Sequence, residues 1–71
     1  MPITGVVQFF NVQRGFGFVR PDNGDRDVFL HITAVRAADL AAPPSEGDRL
    51  SFDAIPGRGG KLQAINIALV S

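Results

Sequence analysis

The chain has 71 residues, with seven Lys or Arg against seven Asp or Glu, one His, six Phe, and no Cys, Trp or Tyr. This length supports one small domain, residues 1–71, whose core buries only about 60% of the unfolded surface. The balanced charge excludes a nucleic-acid binder held by bulk positive charge alone, and a lone His without Cys excludes a disulfide framework and a zinc centre.

The first five residues lack the basic and apolar regions of a signal peptide, and no apolar run approaches the ~20 residues needed to cross a bilayer. A soluble, cytoplasmic protein with no membrane partner is expected. Ile3 to Asn11 reads as a first strand, with Gly5 marking a bend or a close approach of backbone. Its alternation breaks at Phe9-Phe10. In a regular strand these rings point to opposite faces, and the local pattern leaves open which one is exposed, or whether a bulge turns both outward.

Asn11 to Gly15 is a turn, with Gly15 available for positive φ. The second strand, Phe16 to Arg20, follows. Pro21-Asp22-Asn23-Gly24 is a strong turn signal, and Asp27 to His31 is the third strand. A period of two places Phe16, Phe18 and Arg20 on one face of the second strand and Phe29 and His31 on one face of the third. Val28 and Leu30 belong inside, with Gly17 and Val19 beside them, because burying Arg20 unpaired would be costly. The rings therefore face solvent with their polar neighbours. Such a surface suits flat ligands that stack.

From Ile32 to Ala42 the chain turns Ala-rich. Thr33 is a candidate N-cap for a short helical turn over Thr33 to Arg36, and Pro43-Pro44 ends any helix. Glu46-Gly47-Asp48 is a turn before a fourth strand, Arg49 to Ile55. Pro56 to Gly60 is a second turn, and Lys61 to Leu69 is a fifth strand, with Leu62, Ala64 and Asn66 on one face and Gln63, Ile65 and Ile67 on the other. Five short strands, three as a meander and two after a longer connection, suit a small closed all-β barrel without exposed sheet edges. An SH3-like barrel is the architectural rival.

Arg14-Gly-Phe-Gly-Phe-Val19 followed by Asp27-Val-Phe-Leu-His31 resembles the paired motifs of the cold-shock domain family. Further matching stretches are Gly5 to Asn11, Thr33 to Val35, Glu46-Gly47 and Gln63 to Ile67. The resemblance implies a five-stranded antiparallel OB-fold barrel that binds single-stranded RNA or DNA, often as an RNA chaperone. Phe16, Phe18, Phe29 and His31 match the family's stacking positions, and Phe9 stands where the family usually has Trp, which selects Phe9 over Phe10 as the exposed ring. Arg14 matches a basic residue at the strand turn, and Asp27 an acidic residue able to bond a base edge. Three departures are plain: Gln8 replaces a usual Lys, Ile32 a frequent aromatic, and the loop from Arg36 to Ser45 carries no ring. The turn at Gly57 to Lys61 also lacks the family's usual Gly-Pro.

The expected site is therefore Phe9, Phe16, Phe18, Phe29 and His31 for stacking, Arg14, Arg58 and Lys61 for phosphates, and Gln8, Asn11 and Asp27 for base edges. Gly57-Arg58-Gly59-Gly60 lacks the Lys-Ser/Thr ending and following helix of a phosphate-cradling loop. No nucleophile and base pair is suggested by spacing, so an enzyme is not expected, nor is any metal or cofactor, and the protein is expected to be a monomer. The competing reading is a small barrel whose exposed Phe surface binds a peptide. Proline-binding grooves of that type rely on Tyr and Trp, which this chain lacks.

Overall fold

The computed structural model describes residues 3–40 and 42–70, with Arg58 described by its backbone alone. It contains five strands, β1 (Ile3–Asn11), β2 (Phe16–Pro21), β3 (Val28–His31), β4 (Arg49–Pro56) and β5 (Leu62–Leu69), with a helix α1 (Ile32–Ala38) and a 3₁₀ turn over Arg58–Gly60. The strands close into a barrel in the order β1-β2-β3-β5-β4. Neighbours pair antiparallel except β3 and β5, which meet in parallel where Phe29 faces Gln63. Closure hides the ladder groups that an open sheet of this size would expose. Among the described residues no helix is long and apolar enough to cross a membrane.

Every strand contributes to one core: Val7, Val19, Val28 with Leu30, Leu50 with Phe52, and Ala64 with Ile67, closed at one end by Val35 of α1. No polar or charged side chain is buried among the described residues. The interior is aliphatic apart from Phe52, which is 0% exposed. Phe10 packs against this core, whereas Phe9 is 42% exposed.

The cause is a bulge at Gln8. Val7 pairs with Val19 and Phe9 with Phe18, so β1 carries one extra residue between them. Without it, Val7 and Phe9 would share the inward face; with it, Val7 points in, Phe9 out and Phe10 in. Both main-chain groups of Val7 are taken by the turn before β4, its N–H by Asp48 O at 2.8 Å and its C=O by Gly47 N–H at 2.9 Å. Gly17 makes room opposite. A Cβ there would lie 2.7 Å from Phe10 Cα and collide with the Phe9 carbonyl oxygen. Gly5 is likewise a close approach rather than a bend, since its Cβ would lie 2.9 Å from Val19 Cγ1.

Three expectations are corrected. The N-cap of α1 is His31 rather than Thr33, because β3 runs into the helix without a loop: His31 keeps extended geometry (φ −96°, ψ 151°) and its Nδ1 accepts from the Thr33 N–H at 3.2 Å. The helix is correspondingly longer, ending at Asp39 with φ 54°. In β5, strict alternation fails at Asn66, whose φ of 52° and register shift opposite Ser51 and Asp53 bring Ala64 and Ile67, three residues apart, onto the same inner face. Asn66 Nδ2 donates to Asp53 Oδ2 at 3.0 Å and holds the shifted strand. Leu62, expected on the same face as Ala64, is 38% exposed because it pairs with Pro56 at the barrel rim, beyond the core.

Candidate nucleic-acid interface

On the outer face of β1, β2 and β3 the register sets Phe9 opposite Phe18, Phe18 opposite Phe29, and Phe16 opposite His31. The five rings form one connected cluster. Phe16 and Phe29 stack at 5.9 Å with a 16° interplanar angle, while Phe18 meets Phe29 edge-on at 5.8 Å and Phe16 edge-on at 6.3 Å. Phe9 lies 5.6 Å from Phe18 and 5.9 Å from Phe16, and His31 lies 6.0 Å from Phe29. Edge-to-face pairs of this kind contribute about 0.5–1.5 kcal/mol each beyond burial. The rings thus brace one another while remaining outside the core.

The His31 ring is fixed from below. Nδ1 accepts from the Thr33 N–H and lies 2.9 Å from Thr33 Oγ1, which leaves Nε2 and the ring face pointing away from the helix. A groove of about 810 Å³ runs over Phe16, Phe18, Phe29 and His31, with Lys61, Leu62 and Gln63 from the β4–β5 region as its other wall. A smaller groove of about 270 Å³ continues past Lys61 and Leu62 toward Asp25, Arg26 and Asp27.

The remaining expected site residues are more scattered. Lys61 lies in the groove and is exposed. Arg14 is exposed in the β1–β2 turn, where its N–H donates to Asn11 Oδ1 at 3.0 Å. Asn11 therefore shapes that turn with its side-chain oxygen, and its C=O accepts from the Gly15 N–H. Gln8, the bulge residue, folds its amide back onto Val6 O at 3.3 Å. Asp27 is reached by Arg20 Nε at 3.5 Å. The Arg58 side chain lies outside the described residues.

Leu62, Gln63 and Arg20 belong to this neighbourhood although their sequence pattern does not announce it. Leu62 and Gln63 enter through the parallel β3–β5 pairing, a long-range register without a local signal. Arg20 was legible as outward-facing, yet its pairing with Asp27 depends on the β2–β3 register. Ile32, at the start of α1, packs against the core, and its N–H donates to Gly15 O at 2.8 Å; the aromatic cluster ends at His31.

Residues 3–70 match the family model described as the 'Cold-shock' DNA-binding domain. The chain is 43% identical over 68 residues to a probable cold shock protein of Sinorhizobium fredii, covering 94% of this chain and 97% of that one. It is 42% identical over 67 residues to the cold shock-like protein CspA of Rickettsia bellii, with 94% and 93% covered. Against the cold shock-like protein CspG of Escherichia coli it is 36% identical over 67 residues, with 94% of each chain covered.

Proposed function

Because the chain belongs to the cold-shock domain family, we propose that it binds single-stranded RNA or DNA by stacking unpaired bases on Phe9, Phe16, Phe18, Phe29 and His31, and that it acts as an RNA chaperone. The observation that carries this reading is the connected five-ring cluster, four of whose rings line a groove with a cation at its wall. Each ring exposed to the groove offers an apolar face that any base can cover, so binding tolerates sequence. Lys61 and Arg14 meet phosphates in this reading, with Arg58 as a further cation. Asp27 and the amides of Gln8 and Asn11 provide polar contacts to base edges.

Chaperone action follows from differential binding. A base stacked in a hairpin cannot stack on Phe18, so the protein favours the open strand and shifts the equilibrium toward it by mass action, without an energy source. Chemistry on the nucleic acid is not required.

A labelled oligothymidine is expected to bind more than tenfold tighter than a hairpin duplex containing the same thymidine run, given about 1–3 kcal/mol of stacking per base. Fluorescence anisotropy with labelled strands is the suitable readout, since the protein lacks Trp. Equal affinity for the two ligands would refute the reading.

The salt dependence is expected to be shallow. At about 0.7 per contact on a single strand, two or three phosphates met by Arg14, Lys61 and Arg58 should contribute a slope of about −1.5 to −2 in the logarithm of affinity per decade of salt. A slope steeper than about −4 would mean that charge, rather than stacking, holds the strand.

A further inference from the structure

We propose that Arg20 is a phosphate contact of the bound strand, placed one register step beyond the ring cluster; the inference rests on the single-strand reading above. Arg20 follows Phe16 and Phe18 on the outer face of β2, about 7 Å along the strand from Phe18 at the usual rise per residue. Its cross-strand neighbour on β1 is Val6, which in turn faces Arg49 on β4. A lateral row therefore crosses the barrel beside the rings: Arg49, Val6, Arg20 and, from the start of β3, Asp27.

Within that row the two arginines are engaged differently. Arg49 Nη2 donates to Asp22 Oδ2 at 2.5 Å, and the same oxygen accepts from Thr4 Oγ1 at 2.6 Å, so Arg49 is held by a short contact to a carboxylate shared with β1. Arg20 touches Asp27 through Nε alone, at a long 3.5 Å, and its side chain is 63% exposed. Among the described residues its two Nη groups have no hydrogen-bond partner. The guanidinium is thus held in place by one edge while the other edge, with its fork of donors, points to solvent. That geometry suits a phosphate oxygen pair.

Charge at this end of the platform favours the same assignment. The β1 side is neutral, because Thr4, Val6 and Gln8 carry no charge and the Gln8 amide is folded onto Val6 O. Asp27 by itself would repel the sugar-phosphate chain of a base stacked on Phe18 or Phe29. Arg20 offsets that repulsion and supplies an attraction of its own.

The test is a double-mutant cycle on fluorescein-labelled hexathymidine, across a salt series, with wild type, Arg20→Ala, Asp27→Ala and the double variant. Arg20→Ala is expected to bind about fivefold more weakly at low salt, the upper range for an exposed charge pair, and to make the salt slope shallower by about 0.7. The same loss is expected in the Asp27→Ala background, and Arg20→Lys should keep most of the affinity. Unchanged affinity and slope in Arg20→Ala, or a loss that vanishes once Asp27 is removed, would overturn the proposal, the latter by showing that Arg20 acts only on Asp27. Thermal melts of each variant, with Arg20→Gln as a second neutral substitution, separate binding effects from folding. Failure of the wild-type protein to bind the strand would instead refute the single-strand reading itself.

Discussion

Phe18→Ala and Phe29→Ala are each expected to weaken binding of a single-stranded oligonucleotide by about 5- to 150-fold, the range set by ~1–3 kcal/mol of stacking per base. The fold should survive, because neither ring contributes to the interior: the core is closed by Val19, Val28 and Leu30 on the opposite faces of the same strands. Some stability will be lost, since Phe18 contacts Phe9, Phe16 and Phe29 edge-on or tilted and each such pair contributes about 0.5–1.5 kcal/mol. A melting temperature lower by several degrees, with a cooperative transition, is the expected thermal result. The two substitutions should not add, because the rings touch each other at 5.8 Å. Anisotropy titrations of the single and double variants, beside thermal melts, provide the check. Binding retained within twofold in both single variants would remove stacking as the basis of recognition.

Phe52→Ala should do the reverse and unfold much of the population. Phe52 is the largest fully buried side chain, and truncating a buried Phe costs about 3–5 kcal/mol through lost transfer energy and the cavity left behind. For 71 residues the total stability is on the order of 4–10 kcal/mol at 0.05–0.15 kcal/mol per residue. One substitution therefore removes a large share of it. Urea titration at 25 °C should show a midpoint lowered by more than a third with an unchanged slope. A midpoint within a tenth of wild type would mean that the barrel repacks around the gap. Taken together, the two sets of variants divide six residues of one type into two functions, since Phe10 and Phe52 face the core, Phe16, Phe18 and Phe29 line the groove, and Phe9 extends their cluster on the outer face.

That division was largely legible in β2 and β3. A strand has a period of two, so once Val28 and Leu30 are inside, Phe29 and His31 must be outside, and Arg20 carries Phe16 and Phe18 with it. Turns were legible for a similar reason: Gly15 and Gly24 adopt the positive φ that their type permits at low cost. These properties depend on neighbours two to four residues away. They are written into the chain before it folds.

What lies further apart was decided by tertiary structure. Alternation alone could not choose between Phe9 and Phe10, because the bulge at Gln8 belongs to the β1–β2 register and lies beside a main-chain contact of Val7 with Gly47 and Asp48, some forty residues later. Likewise Asn66 leaves regular strand geometry because β4 and β5 must both close the barrel and bury Ala64 with Ile67. His31, readable as an outward ring, became a helix cap because β3 passes into α1 without a loop. The groove itself has one wall from β2 and β3 and another from Lys61, Leu62 and Gln63, some thirty residues later, joined by a single parallel pairing of Phe29 with Gln63. Which face a side chain takes is local stereochemistry and can be read from the sequence. Which faces meet depends on barrel closure, where bulges and registers are set by the requirement that all five strands bury one common core.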